Sequence, residues 1–268
     1  MAANQTKTYA HLDHPLILPV VFHPRKASHS PAVNTAASDH HIPVRDGCTI
    51  GARFHGGVQA GTNILFFHGN GEIVPDYDDL GPLFNQMGSN LLAVDYRGYG
   101  ESTGHPTVQG MMTDCHAIYN YTRDWLANSG HTGPLAVMGR SLGSASALEL
   151  AAAYPMEIDG LILESAFAFT VPLLQVLGAD LSAGVTEAMG FGHLEKIKSF
   201  TGPTLVIHAE YDHIIPYSDG QALYEASSAD SKQLVQVRGA DHNDIFLHGF
   251  NAYIQAIAKF TSGLKAKY

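Results

Sequence analysis

The sequence predicts an α/β domain: a doubly wound, mostly parallel sheet flanked by helices. Short apolar runs recur along the chain, each running up to a glycine or an acidic residue: NILFF, NLLAVD, PLAVM, GLILE, TLVIH and KQLVQV. They do not alternate apolar with polar, which marks strands buried on both faces, as parallel strands beneath helices are. Helix-like segments separate them, over residues 78–87, 109–127, 144–153 and 218–226. Strand and helix therefore follow each other in the order that builds a covered parallel sheet. No linker-like composition interrupts residues 40–268, so a single domain is expected there, preceded by an irregular N-terminal arm over 1–39.

Taken from the N-terminus, HIPVRDGCTIGARFH predicts two strands joined at Asp46-Gly47, a pair that accepts the positive φ of a tight hairpin turn. The alternating strands and helices follow. Residues 165–200 have room for only two or three short helices, so any lid over the sheet is expected to be small. The last helix starts at an Asp in DIFLHGFNAYIQAIAKF and carries apolar residues at helical spacing.

Composition excludes several functions. A formal charge of −10 leaves no basic face for nucleic acid. Two cysteines, Cys48 and Cys115, are too few for a disulfide framework and wrongly spaced for a structural zinc site. The sixteen histidines are scattered, without a His-x-x-x-His pair and third ligand, so no metal is expected. MAANQTKTYAHLDHP lacks the apolar run of a secretory signal, and LILPVVF and FAFTVPLLQVLGADLSAGV are both interrupted by proline. A cytoplasmic protein without a membrane span is the expectation.

The chemistry is concentrated at Gly139-Arg140-Ser141-Leu142-Gly143, between the apolar run PLAVM and the helix-forming SASALELAAAY. Glycines two residues either side of the serine permit a sharp strand-to-helix turn, which lifts Ser141 Oγ above the sheet beside helix N-terminal amides. A serine hydroxyl needs a base, and the base a carboxylate to orient it. On such an elbow the chain order is serine, acid, histidine. Asp212 follows the run TLVIH, and His242 follows the last strand, so both stand at strand ends, where the groups of an open sheet converge. An oxyanion hole is expected from backbone amides of Asn70, in the glycine-flanked HGNGE, and Leu142, with Gly71 as the alternative to Asn70. His68 is expected to tie that loop down.

These motifs, HGN at 68–70, DYRGYGES at 95–102, GRSLGS at 139–144, D-x-x-I-P at 212–216 and HND at 242–244, resemble the α/β-hydrolase superfamily, in particular its small, short-lidded serine hydrolases. The resemblance spans roughly residues 40–260. It implies an eight-stranded sheet, a Ser141–His242–Asp212 triad and cofactor-free hydrolysis of esters or related acyl bonds on a small-molecule substrate. Asp95 belongs to a structural turn in that pattern. Glu164 stands at another strand end where some relatives carry the acid, and Asp212 has the better motif. Acyl-protein thioesterase (depalmitoylase-like) and cofactor-free haloperoxidase chemistry share the same residues and remain alternatives. Phe167, Phe169 and Leu173 are expected to form a shallow apolar substrate wall. Glu72, Asp76, Asp78 and Asp79 are read as a solvated helix N-terminus.

Overall fold

The computed structural model describes residues 8–27 and 37–267. Eight strands form one sheet in the order β1-β2-β4-β3-β5-β6-β7-β8. They are β1 (Ala37–Pro43), β2 (Thr49–His55), β3 (Thr62–Phe67), β4 (Ser89–Val94), β5 (Leu135–Arg140), β6 (Gly160–Glu164), β7 (Thr204–Ala209) and β8 (Lys232–Val237). The first two join the sheet antiparallel, and every pairing from β4 to β8 is parallel. Between β1 and β2, Asp46 (φ 60°) and Gly47 (φ 68°) take the left-handed backbone that the Asp-Gly pair tolerates.

Alternate residues of each central strand enter separate cores. Leu65, Phe67, Leu92, Val94, Val137, Leu161 and Leu163 face one side; Ile64, Phe66, Leu91, Ala93, Met138 and Ile162 face the other. The first core is covered by α3 (Val108–Asn128), α4 (Ser144–Ala153), α6 (His193–Ser199) and α7 (Tyr217–Ala226). The second is covered by α2 (Leu80–Gln86) and the long C-terminal α8 (Ile245–Ser262), which follows Asp244. This two-sided burial is why the central strands read as unbroken apolar runs. The last strand departs from that reading. As an edge with one neighbour, β8 keeps only Val237 fully buried.

The N-terminal segment departs too. Residues 8–27 pack into the core rather than forming an irregular arm, and β1 begins at Ala37, before both the HIPV run at 41 and the expected domain boundary at 40. A 3-10 turn at Ala10–Leu12 and the short α1 (Leu18–Val21) bury Tyr9, Leu12, Ile17, Val21 and Phe22 in the first core. Asp13 Oδ1 accepts from the Val108 amide at 2.6 Å, at the N-terminus of α3. The Tyr9 hydroxyl donates to Glu149 Oε2 of α4 at 2.7 Å. Residues 1–7 and 28–36 of the expected arm, His29 among them, lie outside the described residues. Between β6 and β7 stand α5 (Thr170–Val176), two 3-10 turns (Leu181–Ala183 and Glu187–Met189) and α6. The Glu187 carboxylate accepts from the Thr170 and Val171 amides at 2.7 and 2.9 Å, satisfying free donors at the start of α5.

Candidate active site

At the end of β5 the chain turns sharply into α4, and Ser141 sits at the bend with φ 49°. That region is disfavoured for a residue with a Cβ and is held only where the surroundings dictate it. Here the glycines do so. A Cβ on Gly139 would lie 2.4 Å from the Gly143 carbonyl oxygen, and one on Gly143 would lie 2.1 Å from that of Phe67. Strand, turn and helix can therefore approach this closely only with glycine at both positions. Ser144 Oγ donates to the Ser141 carbonyl at 2.6 Å and closes the turn.

Three residues from distant parts of the chain form one hydrogen-bonded line. His242 Nε2 lies 3.0 Å from Ser141 Oγ, and His242 Nδ1 lies 2.7 Å from Asp212 Oδ2. A carboxylate can only accept, so Nδ1 carries the proton given to Asp212, and Nε2 is left to accept from the serine hydroxyl. Asp212 Oδ1 accepts from the Ile214 and Ile215 amides at 3.0 and 2.7 Å, which fixes the carboxylate after β7. Burial pushes the Asp212 carboxyl up, but the hydrogen bond and charge of His242, with the Ile215 amide, outweigh it and hold it below the ordinary range. Glu164 lies elsewhere. Its oxygens accept from Arg140 Nε at 3.0 Å and the Tyr253 hydroxyl at 2.7 Å, and burial pushes its carboxyl up against both.

The loop after β3 is clamped from several sides. His68 lies 2.8 Å through Nδ1 from the Gly69 carbonyl and 3.2 Å through Nε2 from Asp95 Oδ1, while the Tyr96 hydroxyl donates to the His68 carbonyl at 2.5 Å. Asn70 Oδ1 accepts from the Tyr99 hydroxyl at 2.6 Å and from the His23 amide at 2.9 Å. Its Nδ2 lies 2.9 Å from His23 Nδ1. The Gly71 amide faces the Tyr99 hydroxyl and helps to offset the upward push of burial on that phenol. Among the described residues, no acceptor outside the helices and strands engages the backbone amide of Asn70.

A cavity of about 260 Å³ opens onto Ser141 and His242. Phe167 and Leu173 line it, with Thr170, Leu174, Leu177, Phe191 and Ile214. Phe169 does not. It is the residue at which the chain turns into α5, its amide directed to Asp219, and its half-buried ring packs against the core. Among the lining residues that escaped the sequence reading are Val21 and His23, contributed by the N-terminal segment. The available signal was the apolar stretch LILPVVF, too short for a membrane and long enough to need a core.

Of the acidic residues after this loop, Asp76 and Asp79 are exposed at the starts of short helices, as expected, whereas Glu72 and Asp78 are drawn to buried arginines. Glu72 pairs with Arg140, Asp76 pairs with Arg25 and accepts from the Ile73 amide at 3.0 Å, and Asp78 accepts from Arg53 at 2.6 Å. A buried guanidinium at the end of β5 draws Glu72 inward. Among the described residues, no cluster of three or more His, Cys, Asp or Glu is placed to hold a metal ion. Nor is any helix of these residues long and apolar enough to cross a membrane.

The sheet, the glycine-flanked turn and the strand-end carboxylate and histidine define the class: the chain belongs to the α/β-hydrolase superfamily. Residues 59–189 match the family described as serine aminopeptidase, S33. The chain is 31% identical over 217 residues to human alpha/beta hydrolase domain-containing protein 17B, an alignment covering 74% of this chain and 66% of the relative. It therefore spans just under two thirds of that protein's length. An uncharacterized Mycobacterium tuberculosis protein, MT2364, is 30% identical over 233 residues, covering 85% of this chain and 80% of the relative. Among solved structures, the Pyrococcus furiosus esterase Pf2001 superposes with a TM-score of 0.72 at 17% identity, over 91% of this chain and 98% of the other. At that identity the likeness speaks to the fold.

Proposed function

We propose that the protein is a serine hydrolase that cleaves carboxylic esters of short to medium acyl chains through an acyl-enzyme. The observation that carries this reading is the Ser141–His242–Asp212 line facing an apolar cavity of about 260 Å³. His242 Nε2 takes the Ser141 proton as Oγ attacks the ester carbonyl, and Asp212 stabilises the imidazolium that forms. The amides of Asn70, in the loop after β3, and of Leu142, directly after the serine, receive the oxyanion. Collapse expels the alcohol, which takes its proton from His242 and leaves the acyl group on Ser141. Water, activated by the same imidazole, then releases the acid.

The test is labelling with a fluorophosphonate and turnover of an ester panel graded in acyl length. Ser141→Ala is expected to lose both the label and several orders of magnitude in turnover while retaining its circular dichroism. Full labelling of that variant at another serine would overturn the assignment. Apolar contacts add about 0.8 kcal/mol per buried methylene while the cavity has wall to offer. Specificity is therefore expected to climb over the first carbons and to decline beyond about eight. A steady rise in kcat/KM to palmitoyl esters or thioesters would favour acyl-protein thioesterase chemistry instead.

A further inference from the structure

Arg140, the residue before the serine, is a largely buried cation whose nitrogens reach three separate chain segments. Nε donates to Glu164 at the end of β6 at 3.0 Å, Nη1 donates to Glu72 in the oxyanion loop, and Nη2 donates to the His242 carbonyl at 2.9 Å. Glu72 carries the tether further. Its Oε2 accepts from the Gly69 amide at 2.6 Å and from the Tyr77 hydroxyl at 2.5 Å. Asn70 is thus bracketed by Gly69, held by the Glu72 carboxylate, and by Glu72, held by the guanidinium. The approach is so close that a Cβ on Gly69 would lie 2.5 Å from Arg140 Nη1.

We propose that Arg140 is a positioning residue for catalysis, holding the nucleophile turn, the oxyanion loop and the His242 loop in one register through Glu72 and the His242 carbonyl. The proposal rests on the reading of Ser141 as the nucleophile. Attack requires Ser141 Oγ, His242 Nε2 and the Asn70 amide, each on a different loop, to meet within tenths of an ångström. Only a planar fork with several donors reaches all three loops from one buried point; a lysine ammonium carries the charge without that geometry. Arg140 acts through the groups it holds and takes no proton.

The test compares wild type with Arg140→Gln, Arg140→Lys and Glu72→Gln, each titrated for labelled sites with a fluorophosphonate before ester kinetics. In Arg140→Gln, kcat per labelled site and the labelling rate are expected to fall together by about 10- to 100-fold, with KM within about threefold of wild type. Arg140→Lys, which restores charge but not the fork, is expected to recover melting temperature while kcat stays low. A kcat that recovers along with melting temperature means charge balance alone, and overturns the proposal. So does an unchanged kcat per labelled site in Arg140→Gln. Should Arg140→Gln fail to fold, Glu72→Gln decides: it keeps the other two tethers, and is expected to lower kcat about 3- to 10-fold at constant KM. An unchanged kcat there overturns the proposal. Absence of label on Ser141 in the wild type is a separate result and refutes the nucleophile assignment itself.

Discussion

Two buried carboxylates stand at neighbouring strand ends, and their hydrogen bonds separate their roles. Asp212 spends one oxygen on two backbone amides and the other on His242 Nδ1, whereas Glu164 spends both on Arg140 and Tyr253. Replacing Asp212 by Asn puts a donor against Nδ1 and favours the tautomer whose Nε2 cannot accept the serine proton. Asp212→Asn is accordingly expected to lower kcat by roughly 10³- to 10⁴-fold. Glu164→Gln, which only loosens the Arg140 cluster, is expected to cost about tenfold or less. Steady-state kinetics on a single short ester distinguishes them, and equal losses would shift the acid to Glu164. The positions of Ser141, Asp212 and His242 were legible because each follows an apolar run at a strand end. Arg140 and Glu72 were not, because a charge inside a motif gives no sign of whether it faces water or a buried partner.

Among the elements, the N-terminal segment and α5 both line the cavity, through Val21 and through Leu173. Val21→Trp fills that space with a large rigid ring. It is expected to move the optimum acyl length down by several carbons, because each methylene excluded forfeits about 0.8 kcal/mol. A graded ester panel reads the shift, and an unchanged optimum would place the acyl chain elsewhere. The hairpin at Asp46-Gly47, the elbow and five of the six apolar runs announce themselves locally, in turn residues or unbroken hydrophobicity. The partial burial of the edge strand β8 and the course of the N-terminal segment do not. Tyr9 meets Glu149, and Asp13 meets Val108, across separations of 140 and 95 residues. No local period encodes a contact of that range, and α1 has only four residues in which to display one.

Across the whole molecule, Glu149 joins parts that the sheet alone would leave apart. Projecting from α4, its carboxylate accepts from the Tyr9 hydroxyl of the N-terminal segment at 2.7 Å and from Lys196 Nζ of α6, also at 2.7 Å. Burial pushes this carboxyl up, but hydrogen bonds and charge from His116, Lys196 and Tyr9 outweigh it and hold it at about 2, against an ordinary 4.5. A carboxyl depressed by folding stabilises the fold fully above its unfolded value. That contribution is lost as pH falls from about 4.5 through about 2. Glu149→Gln is therefore expected to be less stable than wild type at pH 7 by about 1–2 kcal/mol, a drop of ~2–8 °C in melting temperature. The two melting curves should converge as the pH approaches 2. A difference that persists undiminished at low pH would mean that Glu149 acts through packing alone.

The left-handed backbone of Ser141 sets catalysis against durability. Any residue with a Cβ held at φ 49° raises the energy of the folded state relative to the unfolded one, by about 1 kcal/mol or more. The protein carries that burden in every molecule, whether or not substrate is present, because the same bend aims the hydroxyl at His242. Glycine would relieve it and remove the proposed nucleophile in one change. Two inactive variants should then differ in a way their chemistry does not foretell. Ser141→Gly is expected to melt ~2–4 °C above Ser141→Ala, despite glycine's greater freedom when unfolded, since alanine keeps the strain and glycine does not. Calorimetry of the pair measures what the elbow withholds from stability, and a Ser141→Gly variant that melts lower would show that the bend is unstrained.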